Sequence, residues 1–166
     1  MEPFNIYVVK QADQWQEVVS MLPHEHVFKR GLAPEAIVGV LLKPTGEGGK
    51  LEPSNFARNS AFVQFLHEFI VRTAPIDKDL VDAARKQRTG HIFIIDARTP
   101  TPQGAVPPYD IIGAFGLDGG EIMPGSYQAN PGHQILSASG FFSLGPSLMN
   151  QLREELERLN SGPTVD

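Results

Sequence analysis

A chain of 166 residues with a net charge of −5, 41% hydrophobic and 20% charged residues, has the balance of one folded domain rather than a disordered segment. It contains no cysteine, which excludes disulfides, thiolate metal sites and cysteine nucleophiles and suits a reducing, cytoplasmic setting. Cations are scattered: only Arg85, Lys86 and Arg88 cluster, close to Asp79 and Asp82, so the basic face that a nucleic-acid partner requires is not expected.

Met1-Glu2-Pro3-Phe4 lacks the basic region of a signal peptide, and the longest apolar stretch, Ala36 to Leu42, is too short to cross a bilayer. No membrane partner is expected. Phe4 to Val9, rich in β-branched and aromatic residues, predicts a strand. Asp13 and Gln16 then form a capping-box-like start, and Trp15, Val18, Val19 and Leu22 follow at helical spacing up to Pro23, which predicts a helix. Residues 23–35 are polar and carry no clear period. The apolar run Ile37 to Leu42 predicts a strand buried on both faces. Pro44 and Gly46-Glu47-Gly48-Gly49 open a flexible loop reaching to about Arg58.

From Ser60 the pattern is helical. Phe62, Phe65, Leu66, Phe69 and Ile70 mark a helix central to the core, with Phe65 and Phe69 nearly fully buried and His67 on the wetter side. Pro75 stops it. Asp77 caps a second helix, Lys78 to Arg88, that turns Leu80, Val81 and Ala84 inward.

His91 to Asp96 is the clearest strand in the chain, and the Pro-rich segment Thr99 to Tyr109 is an extended loop. Ile111 to Leu117 reads as a strand in which Gly113 and Gly116 mark a bulge or a close backbone approach. Asp118-Gly119-Gly120 signals a hairpin whose return strand, Glu121 to Tyr127, is interrupted by Pro124. Asn130-Pro131-Gly132-His133 has the composition of a type II turn. Ile135 and Leu136 suit a short strand. Pro146 opens a last helix with a stripe of Leu148, Leu152, Leu156 and Leu159.

The order β-α-β-α-α-β-β-β-β-α predicts an α+β fold. It implies a mixed, mostly antiparallel sheet of about five or six strands, with about four helices packed mainly on one face. Two helices between the strands at 37 and 91 leave room for a parallel crossover. Residues 1–160 form a single domain in this reading, and 161–166 a frayed tail.

The segment around Lys50 is no phosphate loop, because Pro44 and Leu51 stand where the glycine and the Ser/Thr of that motif belong. His24-Glu25-His26 is the densest set of possible metal ligands. On an extended segment both histidines face one side, yet a zinc site takes three or four ligands, so neither a metal nor a cofactor is expected. No nucleophile elbow, metalloprotease helix or dinucleotide fingerprint occurs, and no catalytic residue is assigned. Asp96 and Arg98 leave the end of the best strand on one face, where ligands of sheet proteins often bind, although a structural ion pair, or a cap on the following Pro-rich loop, is the favoured account of them. The run from Ser126 to His133 gathers Tyr127, Asn130 and His133 on one tight turn.

Asp96, Arg98, Tyr127, Asn130 and His133 are therefore the candidate binding residues, with Asp96 near the 127–133 turn. Two functions follow from different classes. One is a non-catalytic domain that binds a protein partner or a small ligand. The other is a small hydrolase or transferase whose acid/base residues converge from Asp96 and His133.

Overall fold

The computed structural model describes residues 4–99 and 106–161. The chain divides into two compact units, each built around its own antiparallel sheet. The first comprises Met1–Leu66, Ile135–Gly140 and Gly145–Asp166, and the second His67–Gln134 and Phe141–Leu144. The α+β class stands, but the single mixed sheet and its parallel crossover do not. The strand after residue 36 and the strand after residue 89 lie in different sheets, and the pairings within both sheets are antiparallel.

In the first unit, β1 (Asn5–Gln11), β2 (Gln14–Ser20), β3 (Ile37–Leu41) and β4 (Phe56–Arg58) pair in that order. β2 replaces the helix that spacing alone predicts after Asp13. Trp15, Val18, Val19 and Leu22 fit a helical period, but β-branched Val18 and Val19 suit a pleated sheet, and β2 pairs with β1 from Asn5↔Ser20 to Gln11↔Gln14. The two-residue turn between them places Ala12 at φ 55, the position of a type II′ turn normally held by glycine. Alanine there hides the hairpin from a sequence reading.

Residues that lacked a clear period form a seven-residue helix, α1 (His24–Arg30), so His24 and His26 do not share one side as they would on an extended strand. The loop from Pro44 to Arg58 is organised by 3₁₀ turns around Asn55. Its Nδ2 donates to the carbonyls of Lys43 and Lys50, both at 2.9 Å, while its Oδ1 accepts from Lys43 N at 2.7 Å. Val18, Val19, Leu22, Val38 and Phe62 are fully buried.

Two long helices add further side chains to the core. In α2 (Ser60–Thr73), Phe62, Leu66 and Phe69 are fully buried, whereas Phe65 is only half-buried. The last helix, numbered α4 below, runs Pro146–Ser161, and its buried stripe is Met149, Leu152, Leu156 and Asn160. Asn160 takes the place expected of Leu159 because its amide works at depth: Oδ1 accepts from Ala33 N at 2.5 Å and Nδ2 donates to Gly31 O at 2.8 Å.

In the second unit, α3 (Lys78–Gln87) starts where Asp77 accepts from Leu80 N, and β5 (Gly90–Ile95) follows it. β6 (Ile111–Asp118) is the central strand. It pairs with β5, with β7 (Glu121–Ile122) and with β8 (Gln128–Ala129). Gly119 and Gly120, at φ 58 and 86, make the primed turn that the sequence announces between β6 and β7. The return strand ends at Ile122, two residues before Pro124. The Asn130–His133 turn closes with His133 N donating to Asn130 O at 3.1 Å, and Gly132 keeps a negative φ, so it is not the type II turn that its composition suggests. Short strands β9 (Leu136–Ser137) and β10 (Gly140–Phe141) pair with each other ahead of α4. The part of the Pro-rich loop at 100–105 and the tail at 162–166 lie outside the described residues.

Candidate functional site

The carboxylate of Asp96 is completely buried at the C-terminal end of β5. Its Oδ1 accepts from the backbone amides of Arg98 at 3.1 Å and Ser143 at 2.9 Å, and its Oδ2 lies 2.9 Å from His133 Nε2. Arg98 lies between two carboxylates: its Nε is 3.4 Å from Asp96 Oδ2 and donates to Asp110 Oδ1 at 2.7 Å. Its Nη2 donates to the Gln134 carbonyl at 2.5 Å, and Thr99 Oγ1 donates to Asp110 Oδ2 at 2.7 Å. The cluster thus joins three of the five candidate residues and adds Asp110, which no motif announced.

Burial decides what these groups can do. Asp96 is 0% and His133 2% exposed, and the Arg98 side chain 6%. A His–Asp pair is half of a general-base system, but a substrate must reach the imidazole, and here both partners are inside. What the geometry does perform is the fastening of four chain segments, at 96–99, 109–110, 133–134 and Ser143, by charge-assisted bonds.

Asn130 belongs to the same end of the unit. Its Nδ2 donates to the carbonyls of Pro108 at 2.9 Å and Ile111 at 2.7 Å, and its Oδ1 accepts from Gly132 N at 3.0 Å. Such side-chain bonding to nearby backbone explains an asparagine at a turn. Tyr127 is held elsewhere. Its ring lies over Gly113, where a Cβ would come within 2.4 Å of the phenol oxygen, and against Phe115 at a centroid distance of 4.9 Å. The glycine in β6 therefore marks a close approach. Tyr127 Oη meets His67 Nδ1 at 2.7 Å, and burial pushes the phenol well above its ordinary pKa. With Val71, Pro75, Phe115, Ile122 and Met123 it borders a mainly apolar cavity of about 440 Å³.

The first unit carries a feature that the sequence reading missed. Tyr7 of β1 and His24, Glu25, Val27, Phe28 and Lys29 of α1 line an open, almost wholly apolar cavity of about 530 Å³. Tyr7 Oη donates to Leu22 O at 2.5 Å, and its ring meets His24 edge-on at 5.1 Å, so the phenol is anchored while one side of its ring faces the cavity. Burial, reinforced by the Glu25 carboxylate, raises the pKa of this phenol too. Phe28 stands 92% exposed beside the cavity, while Val8 at 60% and Trp15 at 68% are exposed on the face of the β1–β2 hairpin opposite Tyr7. Among the described residues β1 pairs only with β2, which makes it an edge strand. An exposed phenylalanine within a polar, unassigned segment was the available signal.

Among the described residues no group of three or more His, Cys, Asp or Glu is placed to hold a metal ion, and no helix is long and apolar enough to cross a membrane. No family model, curated protein or solved structure matches the chain.

Proposed function

We propose that this chain is a non-catalytic protein-interaction domain of the cytoplasm. The observation that carries the reading is Phe28, a large apolar side chain left almost fully in solvent beside an apolar cavity and an edge strand. Single exposed apolar residues are ordinary, but Phe28 continues the apolar lining of the cavity and so extends it into a patch of the kind that recognition surfaces use. Aromatic anchors of this sort carry much of the binding energy at protein interfaces.

A photo-crosslinking residue placed at position 28 in living cells tests the reading against the same probe at Lys86, which is exposed on α3. A discrete protein adduct from position 28, absent from position 86, is the expected result. Equal labelling at both positions, or none at either, overturns it.

The 2.9 Å contact between His133 and Asp96 favours a second reading, a small hydrolase or transferase. Turnover of an ester or phosphoester substrate that is lost in a folded His133→Gln variant would establish that reading in place of the first.

A further inference from the structure

We infer that the cavity beside Tyr127 is a binding site for one small, uncharged aromatic molecule. The site lies within the second unit and shares no residue with the cavity beside Phe28, so it stands apart from the interaction reading above.

The walls exclude charge. Val71 comes from the last turn of α2, Pro75 from the 3₁₀ turn that follows it (Ala74–Ile76), Phe115 from β6 and Ile122 from β7. Met123, Tyr127 and the intervening Pro124 and Gly125 belong to the connection between β7 and β8 and complete the described lining. No Lys, Arg, His, Asp or Glu stands among them. An ionised ligand would give up its hydration shell here and meet no counter-charge. Tyr127 brings the only strong hydrogen-bonding group that a side chain contributes, and its oxygen is already joined to His67 Nδ1 at 2.7 Å. The walls therefore suit a ligand with at most one polar group.

Shape and lining favour an aromatic one. The cavity of about 440 Å³ falls in the range of small-molecule sites, roughly 300–1,000 Å³. The rings of Phe115 and Tyr127 meet at 4.9 Å and 52°, with the Met123 thioether and two prolines in the same wall. Offset and edge-on ring contacts and sulfur–ring contacts all reward a flat aromatic guest.

The space is also built to persist. Met123 N donates to Gly116 O at 2.9 Å. Ser126 Oγ accepts from Gly116 N at 2.9 Å and donates to Met123 O at 2.6 Å, so the turn between β7 and β8 is pinned to β6. Tyr127 is held over Gly113 by its bond to His67. With these groups fixed before a ligand arrives, little has to be ordered on binding. Water in such a space finds few polar partners, and an apolar guest displaces it readily. Val71 and Met123, 43% and 40% exposed, mark the way in.

Fluorescence titration with N-phenylnaphthylamine, an uncharged probe that brightens in apolar surroundings, tests the site. Anilinonaphthalene sulfonate, the same ring system with an added anionic group, is the comparison. The neutral probe should bind saturably, one molecule per chain, and the sulfonate should bind at least about tenfold more weakly. Val71→Trp and Met123→Trp change positions that are already partly in solvent, so the core stays intact while the added ring occupies the opening. Each should weaken the neutral probe by more than about tenfold, because the space it needs is filled. Phe28→Ser should leave its affinity unchanged. Circular dichroism checks that every variant is folded.

A wild type that binds no neutral probe overturns the inference. So does binding that survives both tryptophan variants, or that disappears in Phe28→Ser, since the probe then sits elsewhere. Equal affinity for the sulfonate would show that the walls do not select against charge, and would overturn the ligand class.

Discussion

His133 Nε2 lies 2.9 Å from Asp96 Oδ2, a buried hydrogen-bonded contact between residues 37 apart in the chain. Around it, Arg98 bridges two carboxylates that are otherwise shut away from water. Arg98→Ala should therefore destabilise the second unit by about 3–5 kcal/mol, because Asp96 and Asp110 are left as buried charges without a counter-ion. His133→Ala should lose less, about 1–3 kcal/mol, since the contact to Asp96 is removed while Asp96 keeps its two amide donors and Arg98. Urea melts at unchanged slope check both. A ligand site built on solvent-facing groups would leave the melts where they were.

Phe69 is 0% exposed on α2, and truncating it leaves a cavity that the surrounding side chains fill only in part. Phe69→Ala should lower stability by about 3–5 kcal/mol. Phe65→Ala, at a half-buried position one turn earlier, should lose clearly less. A chemical melt in which Phe65→Ala does the greater damage would mean that the helix turns its other side to the core.

The second half of the chain was the more legible. Gly119-Gly120, Asp77 and the apolar run after His91 each carry a local physical instruction: a primed turn, a cap, a strand. The first half misled most at Ala12, which accepts a positive φ although nothing in its chemistry announces a turn. One missed hairpin then removed β2 from the expected sheet, and with it the four-stranded order in which β2 joins β1 to β3.

At the candidate site, strand parity brought Asp96 and Arg98 to one place, and proximity along the chain suggested His133. It did not separate Tyr127, because the side chain that holds it, His67, lies 60 positions earlier on α2. Asp110 was equally hidden. A carboxylate after a Pro-rich loop looks solvated until folding sets a guanidinium beside it.

Folding should not depend on a metal. Two residues apart on α1, His24 and His26 point about 200° away from each other, so they cannot share an ion. His26 Nε2 is buried without a hydrogen-bond partner, whereas the His24 ring packs on Tyr7. Dialysis against a strong chelator should leave the thermal midpoint unchanged. A fall of several degrees would require ligands from elsewhere in the chain.

Alkaline pH should weaken the second unit through Tyr127. In the folded protein, burial holds this phenol above its ordinary pKa, whereas in the unfolded chain it titrates near 10. The folded form therefore keeps its proton where the unfolded form releases one. A group whose pKa is raised on folding contributes its full stability below the unfolded value and loses it as pH climbs beyond that value. The contribution is thus intact up to about pH 9 and declines above about pH 10. Tyr127→Phe keeps the ring over Gly113 and against Phe115 but removes both the proton and the bond to His67. The variant should start less stable at neutral pH, by about 0.5–1.5 kcal/mol for the lost hydrogen bond, and then fall less steeply than wild type between pH 9 and 11. Denaturant melts across that range decide it: parallel curves for the two proteins would show that Tyr127 ionises as readily folded as unfolded, and that the cavity beside it is open to water.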